Sequence, residues 1–223
     1  MLLKKFSLVI QTSILCSSFI LAPNLFATEK SIAELVDAVN GTFDKQSREA
    51  GKKVKLRNHA KGFCTSGAFV PAPSITSKLA VPFFSEAEMS LTARFSLAGT
   101  NPNASDKGAG RFMSLNINGE SEHLHFVTSN ARLFFASNLA DFYTFQTKVK
   151  QGAAGKQWLI DHKPEAKAFF EYVSTLKPSK SFANSQYFGV NTFLFNTKNS
   201  DQVAGRWIFE PVDGERFLTE EAL

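Results

Sequence analysis

Alternation of apolar and polar residues in the middle of the chain constrains the fold more than any other feature. Residues 89–98 have one apolar side and one polar side. The apolar side consists of Met89, Leu91, Ala93, Phe95 and Leu97. The polar side consists of Ser90, Thr92, Arg94 and Ser96. Residues 111–118 alternate in the same way, Asn118-Gly119 is a strong hairpin signal, and residues 123–127 supply the returning strand. The pattern predicts an antiparallel sheet that buries one face.

Helical patterns flank this sheet. Residues 31–51 predict a first helix, opened by a capping box of Ser31 and Glu34. Residues 138–152 and 164–178 predict two more helices from their capping, proline and glycine signals. A chain of 223 residues can bury one good core, and all-β or α+β single domains of this size are common. Strands together with these helices favour the α+β class.

The last part of the chain predicts another pair of strands. Residues 187–195 are apolar on both faces, which is typical of a central strand, and residues 204–211 follow as the hairpin partner.

The N-terminal 27 residues predict a secretory signal peptide. Lys4 and Lys5 precede a mostly apolar stretch, and Ala27 stands before polar residues, so we expect cleavage after Ala27 and a domain of residues 28–223. Polar residues interrupt the apolar stretch, which argues against a membrane span. The mature chain is therefore expected to be periplasmic and free of the membrane.

Charge and cysteine content exclude several classes of protein. Two of the 25 basic residues lie in the predicted signal peptide, which leaves 23 basic and 20 acidic residues, a balance too mild to indicate nucleic acid binding. Cys64 is the one cysteine left in the mature chain, so no internal disulfide is expected, and packing is its simplest role. His123 and His125 share a strand face but have no further ligand nearby, so no metal site is predicted there.

Residues 57–69 contain the best candidate for chemistry. His59 comes first, Lys61 and Gly62 follow, and the small and aromatic residues after them are typical of a buried strand. An imidazole has an ordinary pKa of about 6.5 and can exchange protons near neutral pH. A paired structural histidine is the alternative. The chain also has 23 Phe, which suits a flat apolar ligand or an ordinary aromatic core.

Several of these motifs resemble the haem catalases, in the same order along the chain. His59-Ala60-Lys61-Gly62, followed by residues 67–69, resembles their distal-histidine segment. The resemblance to the smaller catalase-related peroxidases is closer, since they carry Asn directly before that histidine, as Asn58 stands here. Residues 92–96 resemble the segment whose Arg pairs with a haem propionate and whose Ser hydrogen-bonds the distal histidine. Residues 127–135, 187–195 and 211–215 also match family segments.

The resemblance implies a catalase-like antiparallel β-barrel with peripheral helices, truncated at the C-terminus, and a haem cofactor. It implies catalytic roles for His59 and Asn130 and haem contacts for Arg57, Arg94, Ser96 and Phe135, although Arg57 lies closer to the histidine than its counterpart in large catalases. The implied activity is that of a haem peroxidase or catalase acting on hydrogen peroxide with a small organic reductant.

One family feature has no match in the sequence. The family binds the haem iron through a Tyr in an Arg-x-x-x-Tyr context beyond the barrel. Tyr143, Tyr172 and Tyr187 do not have Arg four positions earlier, so no residue is predicted to bind the metal. Two alternatives therefore stay open, a non-catalytic barrel that binds haem or another flat apolar ligand, and an inactive remnant.

Overall fold

The antiparallel sheet predicted from the alternation lies at the centre of the fold. The computed structural model describes residues 30–49, 56–120 and 122–222, so the predicted signal peptide and the predicted helix end at Gly51 lie outside the described residues. Six strands pair in the order β1-β2-β3-β4-β5-β8, and β6 pairs with β7 in a separate two-stranded sheet. The strands are β1 (Gly62–Phe69), β2 (Met89–Ser96), β3 (Phe112–Asn118), β4 (His123–Ser129), β5 (Tyr187–Phe188), β6 (Phe193–Asn196), β7 (Gln202–Gly205) and β8 (Ile208–Phe209).

The inner face of the sheet carries the core. Alternate residues of β2, β3 and β4 point to this face, as the sequence pattern predicts. Phe83 and Phe84, from a 3₁₀ helix at Pro82–Ser85, pack against it together with Trp207. The buried members from the three strands are Met89, Ala93, Met113, Leu115, Ile117 and Phe126.

The sheet is open in the part of the chain that the structure describes. β1 and β8 lie at its two edges, and no described strand joins them into a barrel. The prediction of a buried β1 is wrong, because this strand pairs only with β2 and its residues are exposed almost throughout. Cys64 is accordingly exposed and does not pack in the core.

The predicted single strand at residues 187–195 is also wrong, although its hairpin partner is correct. Tyr187 pairs with Phe209 in the large sheet, whereas Phe193 pairs with Gly205 in the small one. Four residues, 189–192, separate β5 from β6, whereas only two, 206 and 207, separate β7 from β8. The pairing ladder therefore cannot continue from one sheet into the other. Gly189 lies at the break and donates a backbone hydrogen bond of 2.9 Å to the carbonyl of Trp207.

The described residues also form five α-helices. They are α1 (Ile32–Glu49), α2 (Pro73–Thr76), α3 (Leu139–Lys148), α4 (Gly152–His162) and α5 (Pro164–Val173). The first, third and fifth were predicted, whereas α4 was missed because Gly152 resembles a helix end. A 3₁₀ turn at Val149–Gln151 joins α3 to α4. No helix in the described ranges is both long and apolar enough to cross a membrane.

The capping box of α1 is confirmed. The Ser31 backbone N–H donates to Glu34 Oε2 at 2.7 Å, and the Glu34 N–H donates to Ser31 Oγ at 3.3 Å. We expect Ser31→Ala to lower the free energy of unfolding by about 1 kcal/mol, because one amide of the first turn loses its acceptor. Urea denaturation measures this loss. Equal midpoints for the variant and the parent chain would show that the cap contributes nothing.

Candidate active site

The strand register places several predicted site residues on the outer face of the sheet. Gly62, Ser96, Phe112 and Ser129 lie side by side in one row across β1 to β4. The next row on the same face consists of Cys64, Arg94, Ser114 and Val127. Side chains at alternate positions of a strand share a face, so both rows point away from the core.

His59 lies at one end of this outer face. Its ring packs edge-on against Phe112, with 4.4 Å between the ring centroids and 62° between the planes. Its carbonyl oxygen accepts a hydrogen bond of 2.6 Å from Arg94 Nη2. The imidazole is therefore fixed next to the row that contains Ser96, and its backbone is tied to β2.

The electrostatic setting of His59 favours a neutral ring. Burial lowers the pKa of His59 below its ordinary value, the Leu97 carbonyl opposes this shift, and the positive charge of Arg94 lowers the pKa further. The Nδ1 atom is buried and has no hydrogen-bond partner among the residues that the structure describes. A neutral imidazole at neutral pH has one nitrogen available as a proton acceptor.

The hydrogen bond predicted between Ser96 and the imidazole is not observed. Ser96 is buried and lies on the same face as the ring, but among the described residues nothing hydrogen-bonds to His59 Nδ1. No side chain therefore fixes which ring nitrogen carries the proton. The ring packs on Phe112, and the Leu97 backbone carbonyl interacts with it.

Asn130 uses its side chain for structure. Its Oδ1 atom accepts from the Arg111 backbone N–H at 2.9 Å, and its Nδ2 atom donates to the Ala109 carbonyl at 2.7 Å. Both contacts tie the end of β4 to the start of β3. The predicted catalytic role of Asn130 has no support from this geometry, because a donor bonded to a backbone carbonyl is not free to hold a substrate.

The predicted haem-contact residues are only partly brought together. Arg94 lies on the outer face next to His59. Arg57 is engaged elsewhere, since its Nε atom donates to Asp44 of α1 at 2.9 Å. The ring of Phe135 stacks on Phe145 at 3.8 Å in the aromatic cluster of the helices, where it serves the helical core.

Two residues of the outer face were not singled out in the sequence. Phe112 supplies the ring under His59, and Val127 leaves 75% of its surface exposed in the row that contains Arg94. The alternation of residues 111–118 already places Phe112 on the polar side of β3. Val127 follows His125 by two residues, so the same two-residue period could have placed Val127 on the outer face.

Two cavities lie away from His59. One of about 300 Å³ is bounded by Asn130 and by Arg132, whose guanidinium lies 5.5 Å from the ring centroid of Tyr172 and 5.4 Å from that of Phe188. The other, of about 180 Å³, lies between β4 and the hairpin of β6 and β7. His59 lines neither of these two cavities.

The stability of the fold should depend on pH through His59. The pKa of His59 is lowered in the folded state, so the unfolded state takes up the proton first as the pH falls below about 6.5. The contribution of the neutral ring is then lost progressively toward the folded-state pKa. We expect the parent chain to lose more stability than His59→Gln between pH 7.5 and pH 5.5 in urea denaturation. Parallel losses in the two chains would exclude this linkage.

The fold is that of a catalase-like protein. Catalase A from Saccharomyces cerevisiae matches 80% of this chain with a TM-score of 0.65 at 20% sequence identity, and the match covers 40% of that catalase chain. At this identity the likeness shows the fold alone. The predicted α+β class and catalase-like fold are confirmed, whereas an open antiparallel sheet takes the place of the predicted β-barrel in the described residues.

Sequence comparison gives the nearer likeness. The chain is 30% identical to a catalase-related peroxidase from Synechococcus elongatus (strain ATCC 33912 / PCC 7942 / FACHB-805), over 95% of its own length. The chain spans 63% of that relative's length. No family model matches the sequence. The resemblance to the catalase-related peroxidases is thus confirmed.

The described residues do not form a metal site of their own. No group of three or more His, Cys, Asp or Glu side chains within these ranges could hold a metal ion. Tyr187 is not a phenolate ligand, because burial raises its pKa and its hydroxyl donates to the Phe182 carbonyl at 2.9 Å. The Arg132 guanidinium lies over the ring of Tyr172, 5.5 Å from its centroid.

Proposed function

We propose that this chain carries the peroxide-handling half of a haem peroxidase of the catalase type. The observation that carries the proposal is the imidazole of His59 at the end of the outer sheet face, whose Nδ1 atom is buried and has no hydrogen-bond partner among the described residues. The catalase-related peroxidase that matches 95% of the chain supports the same reading. Hydrogen peroxide is the proposed oxidant and a small organic molecule the proposed reductant.

The residues on the outer face fit one side of a haem. Val127 offers exposed apolar surface, Arg94 offers a guanidinium that suits a carboxylate, and His59 stands at the end of the same face. The other side is not provided by the described tyrosines, since Tyr187 is buried and bonded as a neutral phenol. The fit therefore covers the peroxide side of the cofactor.

Haem bound to this face would supply the iron that exchanges electrons with peroxide. His59 supplies the proton chemistry. As a neutral base it accepts a proton from the bound peroxide, and as the resulting acid it returns that proton to the departing oxygen, which leaves as water. General acid–base catalysis of this kind contributes about 10²–10⁴-fold in rate.

Arg94 and Phe112 keep the imidazole ready for this transfer. Burial lowers the pKa of His59, the Arg94 charge lowers it further, and both favour the form that can accept a proton. The edge-on contact with Phe112 restrains the ring, which reduces the entropy lost when the reacting groups come together.

A haem titration of the purified chain tests the proposal. We expect a saturable shift of the haem absorbance and peroxide-dependent oxidation of guaiacol. When guaiacol is omitted, we expect oxygen release at a lower rate than that of guaiacol oxidation. Saturable haem binding without turnover above that of free haem would instead identify a non-catalytic binding protein. Absence of any haem absorbance change would leave an inactive remnant.

We further propose that the chain is exported after cleavage behind Ala27. The basic start and the apolar stretch of the first 27 residues support this. N-terminal sequencing of the chain recovered from the periplasm of an expressing bacterium should begin at Thr28. An uncleaved N-terminus in the cytoplasm would exclude export.

A further inference from the structure

His59 has a backbone conformation that its side chain disfavours. Its φ is +54°, in the left-handed region where the Cβ atom crowds the backbone oxygen. Residues other than glycine keep such a conformation when their surroundings determine it strongly, and they concentrate at functional sites. The groups that hold this backbone are therefore part of how the imidazole is aimed.

A single carboxamide oxygen holds the N–H side of His59. Asn58 Oδ1 accepts from the His59 backbone N–H at 2.9 Å and from the Gly99 N–H at 2.7 Å. The Ala60 N–H then donates to the Gly99 carbonyl at 3.0 Å. Asn58 thus joins the turn before β1 to the turn after β2.

The carbonyl side of His59 is held from β2. Arg94 Nη2 donates to the His59 carbonyl at 2.6 Å, and the Leu97 N–H donates to the Lys61 carbonyl at 3.0 Å. The His59 residue is bracketed between these contacts and those of Asn58. Arg94 was a candidate from the sequence pattern, whereas Asn58 had no assigned task.

We propose that Asn58 is a positioning residue that sets the left-handed backbone of His59 and thereby aims the imidazole at its place beside Phe112. This inference rests on the proposed function only for its effect on turnover. A neutral acceptor suits the position, because it binds two N–H groups without placing a negative charge next to a ring that must stay neutral.

Replacing the Asn58 amide with a carboxylate should change the pKa of His59, which can be measured. Asn58→Asp keeps an acceptor oxygen at the same distance from the backbone but adds a charge that favours the protonated ring. Asn58→Ala removes both hydrogen bonds. The other charged groups on adjoining elements and positions are Arg94 on β2 and the ion pairs Arg57–Asp44 and Lys61–Asp106.

NMR titration of the cofactor-free chain tests the inference without any turnover. The His59 ring signal is assigned by its loss in His59→Gln. In Asn58→Ala we expect a higher pKa for His59, because a released ring is better hydrated, together with weaker contacts between the His59 and Phe112 rings. In Asn58→Asp we expect those ring contacts to persist while the pKa of His59 rises.

Asn101→Ala is the matched control. Asn101 Oδ1 accepts from the Asn103 N–H at 2.9 Å in an exposed loop, so this variant loses a similar bond away from the site. We expect it to leave the His59 titration unchanged. Unchanged His59 titration and ring contacts in Asn58→Ala would overturn the inference. If Asn58→Ala does not fold, loss of the His59–Phe112 ring contacts in Asn58→Asp, which keeps the acceptor oxygen, overturns it instead.

Turnover then separates this inference from the proposed function. With haem bound, Asn58→Ala should lower kcat for peroxide by about 10- to 100-fold and leave KM within about twofold, since misplacement affects the chemical step. If the titration changes as expected while the parent chain shows no turnover, Asn58 positions the ring and the proposed function is wrong.

Discussion

Replacing His59 with glutamine should lower peroxide-dependent turnover of the haem-loaded chain by about 10²–10⁴-fold, the usual contribution of a general acid–base group. Glutamine has polar atoms but cannot take up and return a proton near neutral pH. The ring already lacks a partner at Nδ1, so the variant breaks no hydrogen bond at that atom. Stopped-flow consumption of peroxide, with the bound haem quantified by its absorbance, measures the loss.

His125→Gln provides the control for that experiment. His125 is exposed on the outer face of β4, in the row of Asn116, and it contributes nothing to the proposed proton transfer. Its substitution should leave turnover within about twofold of the parent chain. Equal rates for His59→Gln and His125→Gln, at equal haem content, would remove His59 from the mechanism.

The second large effect concerns stability and comes from two adjacent residues of β4. Phe126 is 6% exposed and packs edge-on against Trp207 at 4.7 Å, whereas Val127 points to the other face and is 75% exposed. Phe126→Ala should cost about 3–5 kcal/mol of unfolding free energy, because a large cavity opens in the core. Val127→Ala should stay within about 0.5 kcal/mol of the parent chain.

Thermal and urea unfolding of the two variants would check the assignment of the faces. A loss of that size corresponds to a fall in Tm of roughly 10 °C for a domain of this length. If Val127→Ala were the more damaging change, the outer face would be a buried interface, and it could not receive a flat ligand.

The sequence pattern predicted the sheet because its information is local. Alternation in residues 89–98 and 111–118 needs only the two-residue period of a strand, and the Asn118-Gly119 signal sets the hairpin between neighbours. The capping box at Ser31 is equally local. These predictions were correct because each depends on residues that are close together in the sequence.

The side-chain roles of the site were harder to predict because they depend on distant partners. Asn130 bonds to the backbone at Ala109 and Arg111, across the hairpin from its own strand. Arg57 reaches Asp44 on α1. The spacing of residues 57–61 does not predict the left-handed backbone of His59. That conformation depends on the hydrogen bond between the Gly99 N–H and Asn58 Oδ1.

Strand continuity failed for a similar reason. Residues 187–195 read as one apolar strand, yet the two halves pair in different sheets because the opposing strand has two fewer residues at the break. Likewise β1 has the apolar composition of an inner strand but lies at an edge. Periodicity indicates which face a residue occupies and does not indicate how many neighbours its strand has.

Paramagnetic broadening by ferric haem tests the central claim most directly. In a spectrum of the chain with labelled histidine rings and valine methyl groups, added ferric haem should broaden the signals of His59 and Val127 first. Zinc protoporphyrin, which is diamagnetic, should shift the same signals without broadening them. Broadening confined to residues that line the two cavities, with His59 and Val127 unaffected, would contradict a haem site on the outer face of the sheet.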